Sequence, residues 1–404
     1  LKESLVTRSL FAGLALLIGA VSGVGVNPQE KLKVGDPAPA LKVSSWLHGA
    51  EVKALEPGKV YVVEFWATWC GPCIQMMPHL GDIQEEYRAK GVTVIGFTSE
   101  GTDVEAKVLK FVEKRGAKLG YTFAFAKDQV TNDAYMKAAG QNGIPCSYVV
   151  NKEGKIAYIG HPLFLDVVLP KVVDGTWDMK SGADEIAAAD KDFDAAFEAV
   201  DKATGPEAGL KILADFAAKW PGLAGNPYMT KLKFSQMVKA KKFAEVKELG
   251  EKLITKAAKR GDTLGLMQVS AALRDDAAKG QAEMAALSVR AAETAYAADD
   301  KNPSVVLALV ESYQAAGNSA KAKEYGPKAV AAATAALDGD RDAIGTLRIA
   351  AAQLASGDKE QAKVAAERAI GMVDLSNAGL RRYVEQEAAK FGAEPRKDEK
   401  KSNK

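Results

Sequence analysis

Two cysteines separated only by Gly71 and Pro72 are the residues of this chain best suited to do chemistry. Cys70 ends an apolar, β-branched and aromatic run that begins at Val60. Beyond Cys73, residues 74–90 carry Ile74, Met77, Leu80, Ile83 and Tyr87 at three- and four-residue intervals. The first pattern predicts a buried strand and the second a helix. Cys70 therefore falls where strand hands over to helix, and the unpaired N–H groups and dipole of a helix N-terminus favour thiolate over thiol. Cys73, one turn further in, is close enough to close a disulfide and is better shielded. Pro72 suits the first helical turn, where its missing N–H costs nothing. A bare Cys-x-x-Cys also fits half of a zinc site, but no second ligand pair stands at a suitable spacing. The histidines His48, His79 and His161 are scattered, and His79, on the helix, is expected to face water.

These residues need a sheet and helices to hold them. Residues 92–98 alternate as a strand, 103–115 read as a helix, 121–126 as a short strand, 132–139 as a helix and 147–150 as a strand. A turn at Asn151–Gly154 leads into a strand over 156–159, closing a hairpin. The order suits a mixed central sheet with flanking helices. The stretch Trp69-Cys70-Gly71-Pro72-Cys73, with Phe65-Trp66-Ala67 before it and Pro78 after it, resembles the active site of the thioredoxin superfamily. Gly143-Ile144-Pro145 resembles the segment that carries that family's cis-proline opposite the cysteines. Upstream, residues 33–41 (Lys-Val-Gly-Asp-Pro-Ala-Pro-Ala-Leu) resemble the entry segment of redoxins and TlpA/ResA-like thiol–disulfide oxidoreductases. The resemblance covers residues 32–177 and implies a thioredoxin-like α/β domain over residues 30–178. It also implies catalysis by Cys70 and Cys73, a substrate-facing surface that includes Trp69, Gly71, Pro72, Ile144 and Pro145, and no cofactor or metal beyond the redox-active disulfide.

Glu64 stands six residues before Cys70, where thioredoxins carry a buried acid, with Glu replacing the more usual Asp. Between apolar Val63 and Phe65 its carboxylate is expected to be desolvated, raised in pKa and able to exchange a proton with Cys73. Trp69 offers a flat surface to a substrate chain or simply shields the dithiol, and the sequence does not separate the two. Cys146, directly after Pro145, is a third thiol near the pair or, as free cysteine usually is, a small buried hydrophobe at the start of a strand. The second reading is expected.

The chain has 404 residues, 47% hydrophobic and 26% charged, which predicts two or three globular domains with ample core. A formal charge of +2 points to no nucleic acid or membrane surface as partner. With three cysteines in all, an oxidised pair is catalytic rather than a structural staple. Lys2 and Arg8 precede an apolar stretch over residues 10–18 and small residues up to Ser22. This is the layout of a secretory signal over residues 1–26, cleaved after Ser22 or retained as a membrane anchor. Export to the periplasm or another extracytoplasmic space is expected either way.

Past residues 174–183, a Gly-, Asp- and Ser-containing linker around Trp177, alanine dominates and strand-like runs vanish. An α-helical hairpin-repeat domain is expected over residues 184–392. Gly317, Ala322 and Ala329 recur forty positions later as Gly357, Ala362 and Ala369, and Gly280, Ala285 and Ala292 precede them by thirty-seven. With Asn302-Pro303 opening one unit and Tyr313 inside it, the region resembles tetratricopeptide repeats, although the units are longer and residues 196–256 match poorly. Such arrays build binding surfaces, which implies a protein partner. Residues 393–404 are charged and expected to be a disordered tail.

The sequence thus describes an exported disulfide reductase acting on disulfide-bearing proteins, supplied with electrons by a membrane partner. Two alternatives remain. A peroxiredoxin would need a Thr three residues before its cysteine, and Thr68-Trp69-Cys70 lacks that spacing. A helical scaffold with a merely structural thioredoxin fold would need neither cysteine.

Overall fold

The computed structural model describes residues 31–339, 341–374 and 376–395. The predicted leader, residues 1–26, and nearly all of the predicted tail lie outside them. None of the helices among the described residues is long and apolar enough to cross a membrane.

The first half folds as β1 Ser45–His48, β2 Val60–Phe65, α1 Gly71–Tyr87, β3 Val92–Thr98, α2 Glu105–Leu119, β4 Thr122–Phe125, the single turn α3 Val130–Asn132, β5 Cys146–Val150, β6 Ile156–Gly160 and α4 Leu165–Asp174. The strands form one sheet in the order β1-β4-β3-β2-β5-β6. The strand β2 lies near its centre, parallel to β3 and antiparallel to β5, with Glu64 opposite Ser147 and Phe65 opposite Cys146. All six residues of β2 are buried, which explains a nearly unbroken apolar run.

Side chains alternate across the sheet. One face of β2 carries Val60, Val62 and Trp66 into a core shared with Cys70 and Cys73. The other carries Tyr61, Val63 and Phe65 into a core with Tyr135, Cys146 and Tyr148. The expected helix over 132–139 is a π-type turn at Asp133–Lys137, with the Ala138 N–H reaching back to Asp133 O at 2.9 Å. Two features were not anticipated. Helix α4 exists despite Pro170, and its Leu165, Val168 and Leu169 are buried. Trp177, expected in a linker, donates its Nε1–H to Ala157 O at 2.8 Å and pins the chain to β6.

The second half is helical throughout its described residues: α5 Gly182–Asp201, α6 Pro206–Lys219, α7 Pro227–Lys239, α8 Phe243–Arg260, α9 Thr263–Ala272, α10 Ala282–Ala298, α11 Pro303–Ala315, α12 Ser319–Ala335, α13 Ala343–Ala355, α14 Lys359–Met372 and α15 Ala378–Ala389. The alanine pattern has a physical basis. Gly317 and Gly357 take positive φ of 71° and 90°, Asn318 and Asp358 then cap the next helix, and Ala322, Ala329, Ala362 and Ala369 are buried where helices approach closely.

The two halves share a core. Ala189, Ala196, Val200, Leu213, Phe216, Leu223 and Met229 belong to the same buried cluster as Cys70, Cys73 and α4. A buried guanidinium adds a second joint: Arg260, 6% exposed, donates from Nε to Asp82 Oδ1 at 2.8 Å and pairs through Nη2 with Glu85, both on α1. Lys256 reaches Asp82 Oδ2 at 2.8 Å and Lys259 reaches Glu85 at 2.6 Å. At Gly81 an added Cβ would stand 2.3 Å from Leu119 O, so α1 approaches the end of α2 as closely as only glycine allows.

Candidate active site

The buried strand β2 delivers Phe65 to the end of the sheet, and the chain then turns through Ala67, Thr68 and Trp69 into α1. Helix α1 begins at Gly71, with Pro72 in its first turn and Cys70 as its N-cap. Cys70 and Cys73 form a disulfide with S–S 2.03 Å and Cα–Cα 5.3 Å. The Cys73 N–H donates to Cys70 Sγ at 3.2 Å. One of the helix's four unsatisfied donors thus already points at the sulfur on which a thiolate would form, which favours charge there. Both sulfur-bearing residues are buried, Cys70 at 4% and Cys73 at 1% exposure, so the difference in shielding is small. Trp69 beside them is 71% exposed, and Gly71 and Pro72 are exposed as well. That is the surface a substrate chain would meet.

The turn itself is held from a distance. Glu100, just past β3, accepts from the Thr68 N–H at 2.7 Å through Oε1 and from Thr68 Oγ1 at 2.8 Å through Oε2. This two-point anchor fixes the peptide that precedes Trp69 and Cys70. Sequence reasoning missed it because the partners are thirty-two residues apart and no local pattern joins them.

Glu64 is 2% exposed. Its Oε2 accepts from Ser147 Oγ on the neighbouring strand, while its Oε1 is buried with no hydrogen-bond partner. Burial pushes its pKa up to about 8, against the opposing pull of the Ser147 hydroxyl. By strand alternation it points to the same side of the sheet as Val62 and Trp66, the side that holds Cys70 and Cys73. Cys146 points the other way: it lies opposite Phe65, is 3% exposed, and its thiol is pushed up to about 12, chiefly by burial.

Ile144–Pro145 is a cis peptide bond, and Ile144 packs against the cluster that contains the two cysteines. The structure therefore joins Cys70 to Cys73, packs Ile144 against the large core cluster that contains them, puts Glu64 on their side of the sheet and leaves Cys146 behind it. His79 departs from expectation. It is buried at 8% exposure, with Nε2 2.8 Å from Asp166 Oδ2 of α4, because its side of α1 faces protein rather than water. No group of His, Cys, Asp or Glu among the described residues could hold a metal ion.

Residues 33–164 match the redoxin family model. Protein FixW of Rhizobium leguminosarum is 31% identical over 157 residues, covering 37% of this chain and 69% of that protein. Thiol-disulfide oxidoreductase ResA of Bacillus thuringiensis is 32% identical over 156 residues, covering 37% of this chain and 85% of ResA. The chain belongs to the TlpA/ResA-like redoxins of the thioredoxin superfamily. It is a thiol–disulfide oxidoreductase by family. Among solved structures, the thioredoxin domain of a thiol-disulfide oxidoreductase from Bacteroides vulgatus is 26% identical, with a TM-score of 0.30, covering 35% of this chain and 99% of that one. The redoxin match lies in the first half of the chain, and the helical half has no part in it.

Proposed function

We propose that this redoxin is an exported protein-disulfide reductase. The observation that carries the proposal is the cysteine pair at the mouth of α1, with the Cys73 N–H already directed at Cys70 Sγ. In the reduced enzyme the Cys70 thiolate attacks one sulfur of a substrate disulfide. A mixed disulfide forms and the first substrate sulfur leaves as thiolate. Cys73 then passes its proton towards Glu64 and its thiolate attacks Cys70 Sγ. The second substrate sulfur leaves, and Cys70–Cys73 closes, two electrons having moved to the substrate. Trp69, Gly71, Pro72, Ile144 and Pro145 form the substrate-facing surface, and no cofactor is needed beyond the dithiol itself.

The Gly-Pro pair between the cysteines supports the reducing direction, because it resembles that of the reducing thioredoxins. The basic, then apolar, then small-residue pattern of residues 1–26 supports export. An exported reductase must be recharged, which implies a membrane electron donor. The helical half, with its tetratricopeptide-like alanine units, serves to dock a protein partner.

The test is non-reducing electrophoresis after incubation with a disulfide-bearing protein. Cys73→Ser should accumulate a covalent complex that a reductant breaks, and Cys70→Ser should form none. Trapping by Cys70→Ser but not by Cys73→Ser would reverse the roles.

A further inference from the structure

Between α1 and the helical half lies a cavity of about 350 Å³. Sites for small molecules favour such domain junctions and start at roughly 300 Å³. Its walls are of two kinds. Pro78, Phe234, Leu253, Val269 and Ala272 supply apolar surface. Gln75, Thr230, Ser235 and Gln268 also line it, and their side chains have no hydrogen-bond partner among the described residues. His79 joins them from α1, and its Nδ1 is buried and unpartnered while Nε2 is taken by Asp166.

The charges along the wall define the occupant further. Asp82 is neutralised by Arg260 and Lys256, each at 2.8 Å, and Asp262 spends its carboxylate on the Gly265 N–H at 2.8 Å, capping α9. Arg260 and Lys256 are thereby engaged too. Lys231, exposed at the rim on α7, makes no ion pair among the described residues. The complement of this wall is a small molecule with an apolar body, a few hydrogen-bonding atoms and one anionic group.

We infer that the cavity between α1 and helices α7–α9 is a binding site for a small apolar monoanion, its anionic group at Lys231 and its body against Pro78 and Phe234. The site stands apart from the disulfide chemistry but is built partly on the helix that presents Cys70. Its ligand would therefore touch the active-site helix and the helical half at once.

The experiment uses the oxidised full chain and anilinonaphthalene sulfonate, an aromatic monoanion whose fluorescence rises in apolar surroundings. Saturable one-to-one binding is expected, displaced by octanoate as a carboxylate competitor. Ala272→Phe, which fills the cavity, and Lys231→Glu, an exposed change that leaves packing alone, should each weaken binding by about tenfold or more. Thermal melting and circular dichroism separate loss of the site from loss of fold. Absence of saturable binding, or unchanged binding by a folded Ala272→Phe, overturns the site. Unchanged binding by Lys231→Glu overturns the anionic assignment.

Discussion

Arg260, the last residue of α8, donates from Nε to Asp82 Oδ1 in the middle of the active-site helix at 2.8 Å. Two further hydrogen bonds from its Nη1 reach Lys118 O and Leu119 O, both at 3.4 Å, so one guanidinium ties α8, α1 and the end of α2. The helical half is thus a wall of the thioredoxin domain as well as a neighbour. Replacing the buried guanidinium by a chain of similar length removes its hydrogen bonds to Asp82, Lys118 O and Leu119 O, while Asp82 keeps Lys256 and Glu85 keeps Lys259. Arg260→Met should cost about 1–3 kcal/mol of stability, the range for losing hydrogen bonds of a buried charged group when no charge is left unpaired. Urea denaturation of the full chain measures it, and a loss below 0.5 kcal/mol, on the order of a surface pair, would show the clamp to be ornamental.

Gly81 is the other half of that contact. A methyl group there would meet Leu119 O at 2.3 Å, and the obstacle is backbone, which cannot rotate away. Gly81→Ala should destabilise by roughly 1–3 kcal/mol even though alanine is the better helix former by about 1 kcal/mol. Thermal melting of the variant decides between the two effects, since a higher melting temperature would mean that helix propensity wins.

What could be read from the sequence was whatever local pattern dictates. The β2 run, the three- and four-residue spacing of α1 and the Cys70–Cys73 interval each follow from neighbours in the chain. The structure places the strand, the helix and the disulfide where those patterns predict, within a few residues. The repeat of Gly and Ala in the helical half was also visible, because positive-φ turns and close helix approach demand small residues at fixed intervals. What escaped was set by partners distant in sequence. Glu100 gains its role only when β3 ends beside Thr68, and His79 is buried only because α4 brings Asp166 to it. Trp177 looked like a linker residue because Gly, Asp and Ser surround it in sequence, yet its indole finds Ala157 O.

Cys146 tests the sheet as a barrier. It lies across the sheet from the dithiol, and burial holds its thiol up to about 12, so neither nucleophilic attack nor disulfide exchange is available to it at neutral pH. Cys146→Ala should leave turnover within experimental error. It should lower stability by about 1 kcal/mol through the lost sulfur contacts. In the native wild-type protein after reduction, a thiol reagent should modify Cys70 first and Cys146 only on unfolding. Rapid modification of Cys146, or a fall in rate in the variant, would place Cys146 in the reaction.

Glu64 makes the most specific claim, because burial acts on its stability and its chemistry together. Its native pKa of about 8 lies above the ordinary carboxyl value of 4.5, so the folded chain holds the proton over a range where the unfolded chain has released it. The contribution of this carboxyl to stability is therefore fully present below about pH 4.5 and declines as pH rises towards 8. One pKa unit corresponds to 1.36 kcal/mol, so the decline across the window is of order 5 kcal/mol. Glu64→Gln keeps the shape and removes the titration, so the variant should lack this decline and be more stable than wild type at pH 8. Catalysis should move oppositely. Only the ionised carboxylate can take the Cys73 proton, so closure of the Cys70–Cys73 disulfide in the wild type should accelerate with pH and level off above about 8. The variant should resolve the mixed disulfide more slowly, without that rise, while the first attack by Cys70 keeps its rate. Rapid-quench measurement of mixed-disulfide decay from pH 6 to 9, beside urea denaturation over the same range, reads both effects. A resolving step with the same pH profile in both proteins would remove Glu64 from the proton path, whatever its effect on stability.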